Sequence, residues 1–226
     1  MKLKKIASLM LAGVMAVSML AGCSTGSNGG NNGNEGEGEG EGTATGYSAM
    51  LGAAVSDKVK DMDYVTFADS NTDQTALAAA SAFVSDKVLE NWVKDNNLEQ
   101  VTKQDDMLSA FKDKAELDRE TGLVNSKNNF FNDEQPLNDR KVGEVWVANG
   151  TVDLDVVMNK IFDKYKEEFE TLDDNYTIDD TNLKVDVDYS YVVSVSVVNV
   201  PVRSNLEFNG SVNLVAVTVT RSGEIA

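Results

Sequence analysis

Apolar positions along this chain recur first at helical spacing and later at alternate residues, and the change of period predicts its architecture. Tyr47, Leu51, Ala54, Val55, Val59 and Met62 fall on one face with charged residues between them, which predicts a first helix over about 48–61. Tyr64–Phe67 reads as a short strand. Asp69, Asn71 and Asp73 offer turn and N-cap chemistry ahead of Leu77, Ala80, Phe83, Val84, Val88, Leu89, Trp92 and Val93, the apolar face of a second helix ending near Asn96. Thr102 with Asp105 three residues later imitates a capping box, and opens a third helix through Met107, Leu108, Phe111 and Ala115 with Gly122 beyond it.

From Leu123 to Lys141 neither period holds, and Pro136 interrupts the stretch. Loops of this length are uncommon inside domains and often carry function. Phe130 and Phe131 stand here among Asn128, Asn129, Asn132, Asp133 and Glu134. One reading makes them an exposed contact for a ligand or partner. The other folds both rings onto the core to pin the loop.

Glu144–Ala148 then reads as a strand, and Asn149-Gly150 turns it toward a fourth helix striped by Leu154, Val157, Met158, Ile161, Tyr165, Phe169 and Leu172. After a polar turn, Leu183, Val185, Val187, Tyr189, Tyr191, Val193, Val195 and Val197 alternate with mostly polar neighbours, the pattern of a one-sided antiparallel strand laid against that helix. Pro201 implies an edge or a bulge. Asn209-Gly210 predicts a hairpin joining Val202–Phe208 to Ser211–Thr220, and Arg221–Ile225 resembles a turn that starts another strand. The fold class is α+β: N-terminal helices, a strand, a long amphipathic helix and a C-terminal antiparallel meander. That order looks like the cystatin-like or NTF2-like architecture, which hosts enzymes, binders and structural domains alike.

The first 46 residues belong to neither pattern. Lys2, Lys4 and Lys5 precede an acid-free apolar run from Ile6 to Leu20, and Leu20-Ala21-Gly22-Cys23 follows. The run is short for a spanning helix. This resembles a bacterial lipoprotein signal peptide over residues 1–22 ending in a lipobox. The resemblance implies cleavage before Cys23, a diacylglycerol on its sulfur, and attachment to the outer face of the cell membrane. Two or more acyl chains, at roughly 0.8 kcal/mol per buried CH₂, hold a protein there stably. Cys23 is the only cysteine, so no intrachain disulfide is available. Residues 23–46 then form an acylated start and a tether of Gly, Asn, Ser, Thr and Glu, with glutamate alternating with glycine from Glu35 to Glu41. Such a segment buries too little to offset its ordering entropy, and 23 flexible residues span roughly 25–28 Å. Residues 47–226 remain for a single α+β domain, or for a helical part over 47–122 and a helix-plus-sheet part over 142–226.

Charge narrows the partners. The chain carries a formal −17, and removing residues 1–22 takes away three lysines and no acid, leaving −20. Nucleic acid is an unsuitable partner for such a surface. The complete lack of histidine removes Ser-His-Asp and Cys-His catalysis and histidine zinc sites.

Three constellations imitate known chemistry and each is incomplete. Asp69, Asn71 and Asp73 match the first ligands of a calcium loop, but Gln74 and Ala80 stand where glycine and a closing glutamate belong. Ser109-Ala-Phe-Lys112 fits the S-x-x-K of penicillin-interacting enzymes, yet Asn128 follows too soon for that family's helical insert. The acid pairs Asp105-Asp106, Asp173-Asp174 and Asp179-Asp180 read as solvated turns or helix starts. No cofactor motif is present. The sequence therefore points to a non-catalytic envelope lipoprotein that contacts the bilayer through Cys23 and an envelope protein, polymer or small solute through its domain. The alternatives are a carboxylate hydrolase acting on a wall polymer or glycan, and a ligand-delivery protein for a transporter.

Overall fold

The computed structural model describes residues 46–94, 98–118, 123, 130–131, 136–180, 183–204 and 207–226. The leader, Cys23, the tether before Gly46, and Gly122 and Asn128 lie outside the described residues. In chain order the elements are α1 (Tyr47–Ala54), α2 (Asp57–Lys60), β1 (Val65–Phe67), α3 (Asn71–Ser81), α4 (Asp86–Lys94), β2 (Glu99–Gln100), α5 (Asp105–Ala115), β3 (Arg140–Asn149), α6 (Leu154–Glu170), β4 (Asn175–Asp180), β5 (Leu183–Ser204) and β6 (Glu207–Ile225). The α+β class and the C-terminal meander are as the periodicity requires. One sheet, ordered β1-β5-β6-β3-β2 with β4 also on β5, takes strands from both halves of the chain. Among the described residues only β1 runs parallel to its neighbour.

Two expected helices are each broken. The first leaves helical backbone at Val55 and Ser56, both extended, and restarts with Val59 and Lys60 donating to the Ser56 carbonyl. The break keeps Val55 and Val59 both buried. The second divides at residues 82–85, where Val88 and Leu89 begin a new helix by donating to Ser85, and Phe83 is 57 % exposed instead of lying on an apolar face. Apolar spacing counted straight through this break because the turn happens to restore the phase.

The meander has three segments, but not the ones expected. Asn175–Asp180, read as part of a polar turn, is β4, in which half-buried Tyr176 and Ile178 alternate with exposed Asn175, Thr177 and Asp179. Asn209-Gly210 is not the hairpin turn. The β5–β6 ladder runs past it to Ser204 opposite Glu207. Between the pairs Pro201–Ser211 and Arg203–Phe208, β6 advances one residue more than β5, and Gly210 adopts φ +105°. The dipeptide thus supplies a bulge opposite the proline. Arg221–Ile225 continues β6 instead of turning.

β5 changes character halfway. From Lys184 to Val192 its even positions are exposed, and the one-sided reading holds. From Ser194 to Val198 both faces are buried. Odd positions of β5 and β6, with Val142, Trp146 and Ala148 of β3, pack against α1 and α6 through Leu51, Val157, Met158, Ile161 and Phe169. On the opposite face Val198, Leu214, Ala216, Val145 and Val147 meet Ala76, Leu77 and Ala80 of α3, Leu89 of α4 and Phe111 of α5. The sequence disguised this second layer because Ser194, Ser196 and Thr218 are polar yet buried. Their small side chains let helices approach.

Beyond β1 the outer edge of β5 is covered as far as Val197 by one backbone group and two side chains. Ala68 donates to the Val193 carbonyl, Val195 donates to Ser48 Oγ at 2.9 Å, and the Gln74 amide both donates to the Val197 carbonyl and accepts from its N–H. An amide side chain here stands in for a neighbouring strand.

α3 is fixed to the sheet by a buried charge. Ser70 Oγ caps the Asp73 N–H, and the Asp73 carboxylate, 1 % exposed, accepts from Lys141 Nζ at 2.6 Å and Thr218 Oγ1 at 2.7 Å. Removing one partner of such a set strands the other. Asp73→Ala should lower the unfolding free energy by about 3–5 kcal/mol in urea titration. The exposed Asp57, 3.9 Å from Lys60, should change it by less than about 1 kcal/mol when replaced in the same way.

Candidate functional site

The space between α6 and the meander narrows to a depression lined by Phe130, Phe131, Glu168, Thr171, Leu172, Asp173, Tyr189, Tyr191 and Arg221. Its residues arrive there for separate reasons. Tyr189 and Tyr191 are alternate inward positions of β5, and Arg221 is the continuation of the inward series Val215, Val217 and Val219 on β6. Glu168–Asp173 is the C-terminal turn of α6 and the connection to β4. α6 itself departs from helical geometry at Tyr165, whose ring meets Trp146 and Phe130 at centroid distances of 6.1 and 6.2 Å.

Phe130 and Phe131 are not an exposed contact. They are 1 % and 8 % exposed, which corrects the first of the two readings and supports the second. Phe130 packs edge-on against Phe169 at 4.9 Å, and Phe131 lies 6.1 Å from Tyr191. Burial of a phenylalanine contributes about 1.5–3 kcal/mol, so withdrawing both rings to touch a partner would forfeit much of a domain's net stability. They anchor the segment instead.

Arg221 is the group that sequence reasoning missed. It is 1 % exposed, with its guanidinium carbon 4.4 Å from the Tyr189 ring centroid and 4.9 Å from that of Phe131. A planar guanidinium between two aromatic faces gains cation–π attraction that an ammonium on a flexible stem would not reproduce. Strand alternation carried past Val219 would have found it, since residue 221 falls on the inward series. Reading Arg-Ser-Gly as a turn hid it.

Tyr191 donates to the Asp173 carbonyl at 2.9 Å, and Tyr64 donates to Leu172 at 3.0 Å, so two phenols hold the α6–β4 connection. Burial pushes the Tyr191 phenol well above its ordinary 10.0, with the nearby Arg221 charge acting in the opposite sense. Burial first, and Asp174, Asp173 and Asp63 next, raise Tyr64 as well.

The other expected groups are dispersed. Asp69 accepts from the Gly46 and Ser48 N–H groups at 3.0 Å and so caps α1, while Asp73 faces Lys141; the two carboxylates of the calcium-like loop serve different elements. Ser109 is exposed and Lys112 half-buried on α5. Glu144, unremarked in the sequence, is 2 % exposed and its Oε2 accepts from Gln100 Nε2 at 2.9 Å and from the Leu123 N–H at 3.1 Å. It ties β3 to β2 and to Leu123.

The depression is small, about 40 Å³, room for a few waters. No family model matches this chain, and neither a curated protein nor a solved structure matches it.

The sign of the tyrosine effect gives a test. A phenol whose folded pKa is raised binds its proton more tightly in the native state, so its contribution is complete below pH 10 and is lost as pH rises beyond that. Unfolding titrations above pH 10 should show stability falling with pH. Tyr191→Phe should flatten that fall while lowering stability at neutral pH by about 1 kcal/mol for the lost hydrogen bond.

Proposed function

We propose that this chain is a lipid-anchored envelope protein whose acidic α+β domain works by binding, through its surface, to an envelope protein or polymer held near the membrane. The reading rests on one observation about the interior. Among the described residues the buried charged side chains each join parts of the fold: Asp73 joins α3 to β3 and β6, Glu144 joins β3 to β2, and Arg221 lies between two rings. They are used as struts. Catalytic carboxylates would instead face a cleft able to hold substrate, with an acid and a base at a defined separation.

The leader, Cys23 and the acidic tether support location. An anchor with a leash of roughly 25–28 Å confines the domain near the bilayer and raises its effective concentration toward membrane-bound partners. Among the described residues no helix is long and apolar enough to cross a membrane, so attachment in this reading falls to Cys23.

Metabolic labelling with a tagged fatty acid is expected to mark the wild-type chain. Cys23→Ser should abolish the label and move the protein from the membrane to the soluble fraction. A serine variant that still sediments with membranes would overturn the anchor. In intact cells, cross-linking should yield a reproducible partner with wild type and lose it with the released variant.

A further inference from the structure

We infer that the outer edge of β4 is a docking strand for an extended polypeptide in which Lys or Arg alternates with apolar residues. This goes beyond the binding role proposed above by naming the place and the chemistry of the partner.

The ladder fixes which backbone groups are free. Tyr189 N–H donates to the Asp174 carbonyl, so positions 174, 176, 178 and 180 face β5, while Asn175, Thr177 and Asp179 turn their N–H and C=O groups outward. Elsewhere β1, Ala68, Ser48 and Gln74 cover β5 from Tyr191 to Val197, and the short β2, with Val101 and Asp118, covers much of β3. Among the described residues nothing bonds to the outward groups of β4. A strand arriving there finds a ready main-chain ladder.

Side chains on the two faces of this edge select the occupant. The solvent face of the β4–β5 hairpin carries Asn175, Thr177 and Asp179 beside Asp186, Asp188 and Lys184, with Thr177 Oγ1 donating to Asp186 at 2.7 Å and Lys184 3.4 Å from Asp179. Acid exceeds base on it. The inner face presents half-buried Tyr176 and Ile178, both packed against the core. A partner strand therefore places basic residues opposite Asn175, Thr177 and Asp179 and apolar ones beside Tyr176 and Ile178. A second copy of β4 would bring Asn175, Thr177 and Asp179 and no base to this face, and this chain's own tether would bring glutamates.

The test uses the full-length chain in neutral detergent and two blocked octapeptides, one alternating Lys and Val, the other Glu and Val. The Lys/Val peptide should bind, more weakly as salt rises, and should slow hydrogen exchange at the amides of Asn175, Thr177 and Asp179. The Glu/Val peptide should not. Thr177→Pro removes an outward N–H, leaving the main-chain bonds to β5 in place while losing the hydroxyl bond to Asp186, and should weaken binding roughly tenfold. If that variant fails to fold, the joint change of the exposed Asp186→Lys and Asp188→Lys should weaken binding by a similar factor. Binding without protection of those three amides would overturn the proposal, as would no binding at millimolar peptide, or protection produced by self-association alone. None of these failures bears on acylation of Cys23, which the serine variant tests separately.

Discussion

The constraint on which this fold depends is burial of the β5–β6 ladder on both faces between Ser194 and Val198 and their partners on β6. A sheet covered on two sides must satisfy two packing surfaces from one strand. The chain does so with unlike residues: valine at odd positions for the broad apolar face of α6, and serine, alanine and threonine at many even positions for the close approach of α3. Polar atoms on that second face then need partners, and the Asp73–Lys141–Thr218 set supplies them for Thr218. The salt bridge, the alanine-rich helix and the small strand residues are parts of one solution.

Periodicity exposed the α+β class, the third and fourth helices and the long alternating strand, because one apolar surface drives each of them. It failed where two causes overlap. Helix breaks at Val55-Ser56 and at 82–85 keep the apolar phase and so leave no trace in spacing. β4 was hidden because Thr177 and Asp179 face solvent and leave only Tyr176 and Ile178 as an apolar signal, too short to count. Asn209-Gly210 has the chemistry for either a turn or a bulge, and the ladder's length decided between them. Less of the candidate site was legible. Phe130 and Phe131 announced themselves by type, but their direction, inward to Phe169 and Tyr191, is a tertiary fact. Gln74 pairing with Val197 spans 123 residues and leaves no local pattern at all.

The interior is unusually explicit about what its charges do. Arg221 between Tyr189 and Phe131 and Glu144 beneath the Leu123 N–H both reach toward the segment around Phe130, from two different strands. Leu123 and Phe131 are thus held to the sheet by polar contacts as well as by apolar packing. Polar groups of this kind add directional preference, since a hydrogen bond or a guanidinium stack tolerates less sliding than an apolar contact.

Asp69 has a mechanical meaning. It grips Gly46 and Ser48, the first described residues of the chain, and Ser48 in turn joins the Ala68 carbonyl and the Val195 N–H. Traction on the residues before Gly46 is therefore delivered to the middle of the longest strand through several bonds loaded together, and a domain restrained from that end would resist being peeled open from its first helix.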